Sequence, residues 1–397
     1  VTANNPQTDT TVSSRYNFDQ PVDRSHTDSA KWRHYQLEGE RQGREILPMW
    51  VADMDFVSPP EVLDALQHRV AHGVFGYGKI PESMTEAFCH WYAEHHNWQI
   101  DPKWIVWLPG LVSGLHAVGR AFGEAGSAIM THTPVYPPFL KVAVRNHKQL
   151  QAIPMKEGER WSLDLEAMRA EVKDNTRLFM LCNPQNPTGR VFSEQELKAL
   201  ADFCIEQDLV ICSDEIHCDL VLDKTYRHIP LASLSDEIAA RTVTLLAPSK
   251  TFNIAGLACS AAVIPDAKLR SHFKRSIEGM MPGVNLLGFV AAEAAYRDGA
   301  EWREELLHYL KANRDMIVQW AAGKDQVALN QPEATYLAWL DLRATGQENP
   351  AQWLLKETGV ALSEGADFGL PGFARLNFGC RRELLERVLK RLDTVLK

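Results

Sequence analysis

Lys250, Asp214 and Asn186 each stand at or just after an apolar run, and each brings a different chemistry there. Lys250 lies in Ser249-Lys250-Thr251-Phe252, behind the run TVTLLA. Burying an ammonium at the mouth of a strand is costly unless the charge is neutralised or used. Forming an imine with an aldehyde does both; the plain alternative is a surface lysine in a loop. Asp214 closes another run in Cys212-Ser213-Asp214-Glu215-Ile216-His217. A carboxylate at a strand's C-terminal end faces the crevice where α/β sheets bind ligands, although a turn or cap aspartate reads the same way. The string Asn183-Pro184-Gln185-Asn186-Pro187-Thr188-Gly189-Arg190 follows RLFMLC. Its two Asn-Pro pairs and its glycine make a stiff turn that can hold an amide against a ligand, or simply a turn.

The elements that must position these residues are legible as runs. AIMTH, RLFMLC, DLVIC, TVTLLA and LACSAAVI are strand-length, and helical or polar segments separate most of them. One such segment, SEQELKALADFCIEQ, opens on a capping-box pair, Ser193 and Glu196. Buried strands alternating with helices predict an α/β fold with a largely parallel sheet. Helical spacing follows Pro59-Pro60 (Val62, Leu63, Leu66, Val70), and a second helix carries Phe88, Trp91 and Tyr92. The last third reads differently. A long helical pattern from about Glu301 to Ala322, the alternating YLAWLDL (Tyr336 to Leu342) and a closing helix ELLERVLKRLDTVLK predict a smaller α+β domain. Residues from the N-terminal region are expected to join it, whereas Val1 to Ser14 read as a loose arm. At 397 residues, one large and one smaller domain is the natural division.

Composition narrows the partners. A net charge of −9 argues against nucleic acid or an anionic membrane. No apolar run approaches the ~20 residues of a membrane span, and no signal segment opens the chain. The seven cysteines are scattered and form no CxxC pair, so neither a disulfide framework nor a metal site is expected, and a reducing cytoplasm fits best.

Taken in order, NPQNPTGR, SDEIH and SKTFNIAG resemble the class I/II aminotransferase superfamily of fold-type I enzymes, which use pyridoxal 5′-phosphate (PLP). The resemblance covers nearly the whole chain. It implies an aspartate-aminotransferase-like fold: a large domain, residues 58–289, with a mainly parallel seven-stranded sheet, and a small domain from residues 15–57 and 290–397, after an arm at residues 1–14. It further implies a Schiff-base lysine at Lys250, an Asp214–pyridinium pair and Asn186 on the ring oxygen. Tyr136, in TPVYPPF, matches the aromatic stacked on the pyridine. Gly110, Leu111 and Val112 match the phosphate cup at a helix start, with Ser249 adding a hydroxyl. Arg375, in ARLNF, matches the arginine that grips the substrate's α-carboxylate. Glu215 is read as structural or solvent-facing. Two departures stand out. Where many members carry a tyrosine, this chain has His217, a cofactor contact or a structural histidine; where many carry a phosphate-binding arginine, it has Ala258.

The N-terminal blocks resemble one branch of the family. Phe18-Asp19, Asp23-Arg24, Thr27, Lys31-Trp32 and then Trp50-Val51-Ala52-Asp53-Met54-Asp55-Phe56 are similar to the MalY/PatB branch of cystathionine β-lyases and cysteine-S-conjugate lyases. From bare chemistry these blocks read only as a tightly turned segment and a substrate-side wall, in which Ala52 is a candidate substrate contact. The branch implies α,β-elimination of L-cystathionine or a related cysteine S-conjugate to a thiol, pyruvate and ammonia. Two other readings stay open: an aminotransferase using the same residues, and a binding module, against which the intact set of Lys250, Asp214, Asn186 and Arg375 weighs. Phe75-Gly76-Tyr77-Gly78 is similar to the segment whose tyrosine reaches a neighbouring subunit's phosphate, implying a homodimer with shared sites.

Overall fold

In the computed structural model, which describes residues 15–397, the apolar runs become one seven-stranded sheet. The expected arm at residues 1–14 lies outside the described residues. In chain order the strands are β1 (Ile105–Leu108), β2 (Ala128–Thr133), β3 (Gln149–Pro154), β4 (Thr176–Cys182), β5 (Val210–Asp214), β6 (Thr242–Leu246) and β7 (Ser260–Val263). Their order across the sheet is β1-β7-β6-β5-β4-β2-β3. Every pair is parallel except those made by β7, which runs against both β1 and β6. The expectation of a mainly parallel sheet holds.

Both faces of the sheet are covered, which is why its central strands read as continuous apolar runs rather than alternations. Along β4, Leu178, Met180 and Cys182 enter one core cluster while Phe179 and Leu181 enter another. That is the period-two division of a strand between two helix layers. The first layer holds α1 (Leu111–Ala121), through Leu115 and Val118. The second holds α2 (Glu194–Glu206), through Leu197, Leu200 and Phe203. Helix α2 opens with the capping box foreseen at Ser193 and Glu196. Strands β1 and β3 were not legible as runs. The first is four residues long, and the second is an edge strand with alternate residues exposed.

Register sets the position of the site. Cys182 lies opposite Asp214, and Asp214 opposite Leu245, so β4, β5 and β6 end together. Their C-terminal ends deliver the Asn183–Arg190 turn, Asp214 and the Lys250 loop to one edge. Strand β1 points the same way and delivers Gly110.

A second sheet, β10-β11-β9-β8, is antiparallel throughout: β8 (Ala328–Leu329), β9 (Leu337–Asp341), β10 (Ser363–Glu364) and β11 (Phe373–Asn377). Helix α3 (Ala300–Ala322) packs beneath it with Trp302, Leu306, Leu310 and Ile317 on one stripe. The N-terminal segment is tied in where Leu47–Pro48 pairs in parallel with Val360–Ala361. Among the described residues, no helix is long and apolar enough to cross a membrane.

Candidate active site

A cavity of about 260 Å³ opens where β1, β4, β5 and β6 end. Gly110, Leu111, Val112, Tyr136, Asn186, Asp214, His217, Ser249, Lys250 and Ala52 all line it. Ten residues from six separate sequence segments thus share one wall. Arg375 lies just outside that wall and is joined to it through Asn186.

At one end, α1 begins at Gly110 with no side-chain cap. The N–H groups of Leu111, Val112 and Ser113 fall in the first turn, where a helix offers them no acceptor, and the helix dipole adds partial positive charge. A Cβ built on Gly110 would meet nothing within 4 Å, so this mouth is open space. An anion fits there.

On the floor, Asp214 is 3 % exposed and, among the described residues, accepts only from the Ile216 N–H, at 3.1 Å. Burial pushes its carboxyl up to about 7; Glu215 adds to the rise and Lys250 opposes it. Among the described residues no cation pairs with it, so the carboxylate is placed for a cation arriving from the cavity. Glu215 turns away. It is fully buried and accepts from Ser213 Oγ, the Leu231 N–H and His228, so it holds the loop and faces neither solvent nor cavity.

Lys250 Nζ donates to the Ala52 carbonyl at 2.6 Å. Burial lowers its pKa to about 8, Asp53 and Asp214 pull it up, and Arg375 pushes it down. An amine poised near neutrality is a competent nucleophile and base.

Within the eight-residue turn, Asn186 alone lines the cavity. Its neighbours build the turn. Gln185 Nε2 donates to the Pro134 carbonyl at 2.6 Å, and Arg190 pairs with Glu333 and Glu196 at 3.0 and 2.5 Å. Tyr136 stands just before the helix Pro137–Arg145 and forms a wall of the cavity. His217 is buried and neutral, its imidazole pushed down to about 3 by burial, and its Nδ1 has no hydrogen-bond partner among the described residues.

Arg375 sits in the middle of β11 and is 4 % exposed. Its Nη1 donates to Asn186 Oδ1 at 3.0 Å, and its Nη2 to the Trp50 carbonyl at 2.7 Å and Ser363 Oγ at 3.2 Å. Its Nε has no partner among the described residues, and the guanidinium lies 4.8 Å over the Phe368 ring. Burial lowers its pKa to about 10, and among the described residues no carboxylate pairs with it. A buried cation lacking its counter-ion is a strong demand for one.

The profile of the aminotransferase class I and II family matches residues 45–392. The chain belongs to that family. Within it the chain falls in the MalY/PatB branch, with the aspartate-aminotransferase-like fold. It is 38% identical over 389 residues to cystathionine beta-lyase PatB of Bacillus subtilis (strain 168), spanning 96% of this chain and 100% of that protein. Among solved structures, OvoB superposes with a TM-score of 0.93 at 45% identity, covering 96% of this chain and 99% of that one. Cystalysin from Treponema denticola, which contains a pyridoxal 5′-phosphate cofactor, superposes with a TM-score of 0.92 at 28% identity, covering 96% and 98%.

The residues present fit the family's cofactor. The uncapped helix start suits a phosphate, the unpaired Asp214 a protonated ring nitrogen, and the free amide of Asn186 a phenolic oxygen. Ala258, with φ +51°, stands in the cavity wall where many members of the family bring an arginine.

The paired N-terminal blocks also meet. Asp55 accepts from Lys31 Nζ and Arg24 Nη1, both at 2.6 Å, and from Trp32 Nε1 at 3.1 Å; Arg24 Nη2 reaches Asp53 at 2.6 Å. This partly buried ion cluster anchors the segment that carries Ala52. Tyr77 is the exception among the candidates, fully exposed and outside the cavity.

Sequence reading missed Tyr336, whose hydroxyl donates to the Ala52 carbonyl at 2.9 Å, and Ser363 and Trp50, which hold Arg375. The one available signal was a tyrosine opening an apolar strand, since its hydroxyl needs a partner when buried. Spacing also gave no hint that ligand atoms of His96, Cys218 and Asp219 lie within 4.8 Å of one another. Asp219 is already engaged there by His96 at 2.8 Å and Trp91 at 3.0 Å, with the Arg303 guanidinium 3.9 Å away, so its charge is met by protein groups.

Proposed function

We propose that this chain is a PLP-dependent carbon–sulfur β-lyase acting on cysteine S-conjugates such as L-cystathionine. The observation that carries an amino-acid substrate is Arg375, a buried guanidinium without a carboxylate, one hydrogen bond from the cavity wall. Likeness to cystathionine beta-lyase PatB supports the lyase chemistry.

Lys250 would hold the cofactor through its amine, α1 its phosphate, Asp214 its ring nitrogen, Asn186 its ring oxygen and Tyr136 its ring face. When bound, PLP supplies an electron sink for the pair left on Cα once the proton has gone. Arg375 grips the substrate α-carboxylate bidentately and so fixes which Cα bond faces Lys250. The Lys250 amine, held near neutrality, takes the Cα proton. Asp214 keeps its charge beside the ring nitrogen and so keeps that nitrogen protonated. The thiolate leaves Cβ, and water completes the reaction to thiol, pyruvate and ammonia.

The active unit is proposed to be a two-fold homodimer. Tyr77 stands exposed beside Phe75 and Val74, also exposed, which is an arrangement suited to burial against a second copy. A small amino acid is the proposed substrate.

The test is product analysis with L-cystathionine, L-cystine, and alanine plus 2-oxoglutarate. Pyruvate and thiol formed from cystathionine without any keto acid support the reading. Keto-acid-dependent amino transfer with no thiol released would replace it with an aminotransferase.

A further inference from the structure

Five consecutive carbonyls, from Trp50 to Met54, each accept a hydrogen bond from a side chain. Arg375 takes Trp50, Asn377 takes Val51, Lys250 and Tyr336 take Ala52, Asn377 takes Asp53, and Arg24 and Asn253 take Met54. Such a row belongs to no sheet. It is an irregular segment read out by side chains, and its middle carbonyl is the one that meets Lys250.

The centre of the row is a tight turn. The Asp53 N–H donates to the Val51 carbonyl at 2.9 Å, an i to i+2 closure that turns the Ala52 carbonyl outward. One amide group bridges that turn: Asn377 Nδ2 donates to the Val51 carbonyl and, at 2.6 Å, to the Asp53 carbonyl. Asn377 is fully buried and is itself fixed, since its N–H donates to the Met49 carbonyl at 2.9 Å and its Oδ1 accepts from the Gly379 N–H at 2.8 Å. The Ala52 carbonyl therefore has little freedom to swing. Its two acceptor positions are taken by Lys250 at 2.6 Å and Tyr336 at 2.9 Å.

We infer that Asn377 is a positioning residue for Lys250, bridging the Val51–Asp53 turn so that the Ala52 carbonyl holds the lysine amine whenever it is free. This rests on Lys250 being the cofactor lysine and the base, and adds what keeps it in place between its two tasks. Asn377 and Arg375 stand two apart on β11 and so share a strand face. They act through separate donors. Arg375 keeps Asn186 and Ser363 as anchors whether or not Asn377 is present. Loss of Asn377 should then disturb the lysine and spare the carboxylate grip.

The direction of the electrostatic effect follows. The charged groups facing Lys250 are Asp53 on the turn, Asp214 on β5 and Arg375 on β11, with neutral His217 and Tyr336 beside them. Opening the turn frees the Ala52 carbonyl to swing away, while Asp53 stays on Arg24 and Asp214 and Arg375 keep their places. Losing that acceptor destabilises the ammonium, so Lys250 should titrate lower.

The experiment uses the full chain with Asn377→Leu, which keeps the branched side-chain shape and removes the bridge. Competitive acetylation of the cofactor-stripped protein across pH, read by mass spectrometry on the Lys250 peptide, gives the titration of that amine. The expected result is a midpoint lower by about one unit, with kcat on a cleaved thioether down about tenfold and KM little changed. A folded variant whose Lys250 midpoint is unmoved, or whose KM rises as far as kcat falls, overturns the inference. Should Asn377→Leu not fold, Asn377→Ser, too short to bridge two carbonyls, is read by the same midpoint and the same criterion. Borohydride trapping of PLP on wild-type Lys250 separates the two readings: cofactor found on another lysine removes the premise, whereas cofactor on Lys250 with an unmoved midpoint removes Asn377 alone.

Discussion

Arg375 Nη1 and Asn186 Oδ1 lie 3.0 Å apart, and this bond decides which way the Asn186 amide faces. With its oxygen committed to the guanidinium, Asn186 keeps its N–H₂ for the cavity. The residue that would grip the substrate thereby orients the residue that would donate to the cofactor. The bond crosses between two sheets, joining β11 to the turn after β4, so the site is completed only where the two meet.

Arg375→Lys should fail to rescue what Arg375→Ala loses. A single ammonium cannot serve Asn186, the Trp50 carbonyl, Ser363 and a bidentate carboxylate together. Charge-assisted hydrogen bonds are worth about 1.5–3 kcal/mol, so kcat/KM should fall roughly tenfold to a hundredfold in both variants. Every α-amino acid carries the carboxylate, so the loss should be alike for large and small thioethers. A loss confined to one substrate would mean that Arg375 reads the side chain instead.

Lys250 should cost the cofactor-free protein stability. Its folded pKa is lowered from 10.5 to about 8, so the folded state releases its proton more readily than the unfolded state does. A base with a depressed folded pKa destabilises below that value, and the cost fades as pH rises toward the ordinary one. At ~1.36 kcal/mol per unit, the cost at neutral pH is about 3 kcal/mol. Lys250→Met should therefore melt higher than wild type at pH about 7, and the gap should close as the pH is raised toward the ordinary lysine pKa. Chemical denaturation of both stripped proteins across pH measures it, and a gap that widens with pH would contradict the cause given.

Much of this site was legible because its chemistry sits at strand ends. Lys250, Asp214 and Asn186 follow runs that are apolar on both faces, and such runs announce a parallel sheet and its C-terminal edge at once. What did not show was anything held by a carbonyl. Tyr336 and Asn377 act on the backbone of residues 51–53, and a backbone acceptor leaves no mark in the sequence that presents it. The edge strand β3 escaped for a related reason, since its exposed residues break the apolar run. The members of the ion cluster, Arg24, Lys31, Asp53 and Asp55, stand in separate blocks of sequence, and their pairing depends on a chain reversal that spacing does not encode.

Tyr77 supplies a test of assembly. If it serves a neighbouring subunit, a Tyr77→Phe or Tyr77→Ala chain is deficient in the partner's site and a Lys250→Ala chain in its own. Mixing the two should regenerate some intact sites in the hybrid. For random pairing the recovered activity approaches about a quarter of wild type. No recovery after demonstrated subunit exchange, or a fully active monomer at low concentration, rules the shared site out.

Asp214→Asn should separate catalysis from stability most sharply. The substitution keeps shape and removes charge, so the ring nitrogen would lose the group that keeps it protonated. Removing an electrostatic stabiliser of this kind costs about a hundredfold to a thousandfold in kcat. The stripped protein should respond in the opposite sense. Burial raises the folded Asp214 carboxyl from 3.8 to about 7, so between those values the folded state holds a proton that the unfolded state has given up. Stability contributed by such an acid is present at low pH and lost as pH rises through that window. Roughly three units at ~1.36 kcal/mol put the loss near 4 kcal/mol above the folded value. Asp214→Asn should then be more stable than wild type at pH about 8, by up to that amount, and about equal to it below pH 4. Saturating wild type with PLP should remove the same slope, because a protonated ring nitrogen gives the carboxylate its missing partner. Denaturation curves across pH for wild type, variant and PLP-loaded wild type decide the matter, and a slope that persists unchanged in Asp214→Asn would assign it to another group.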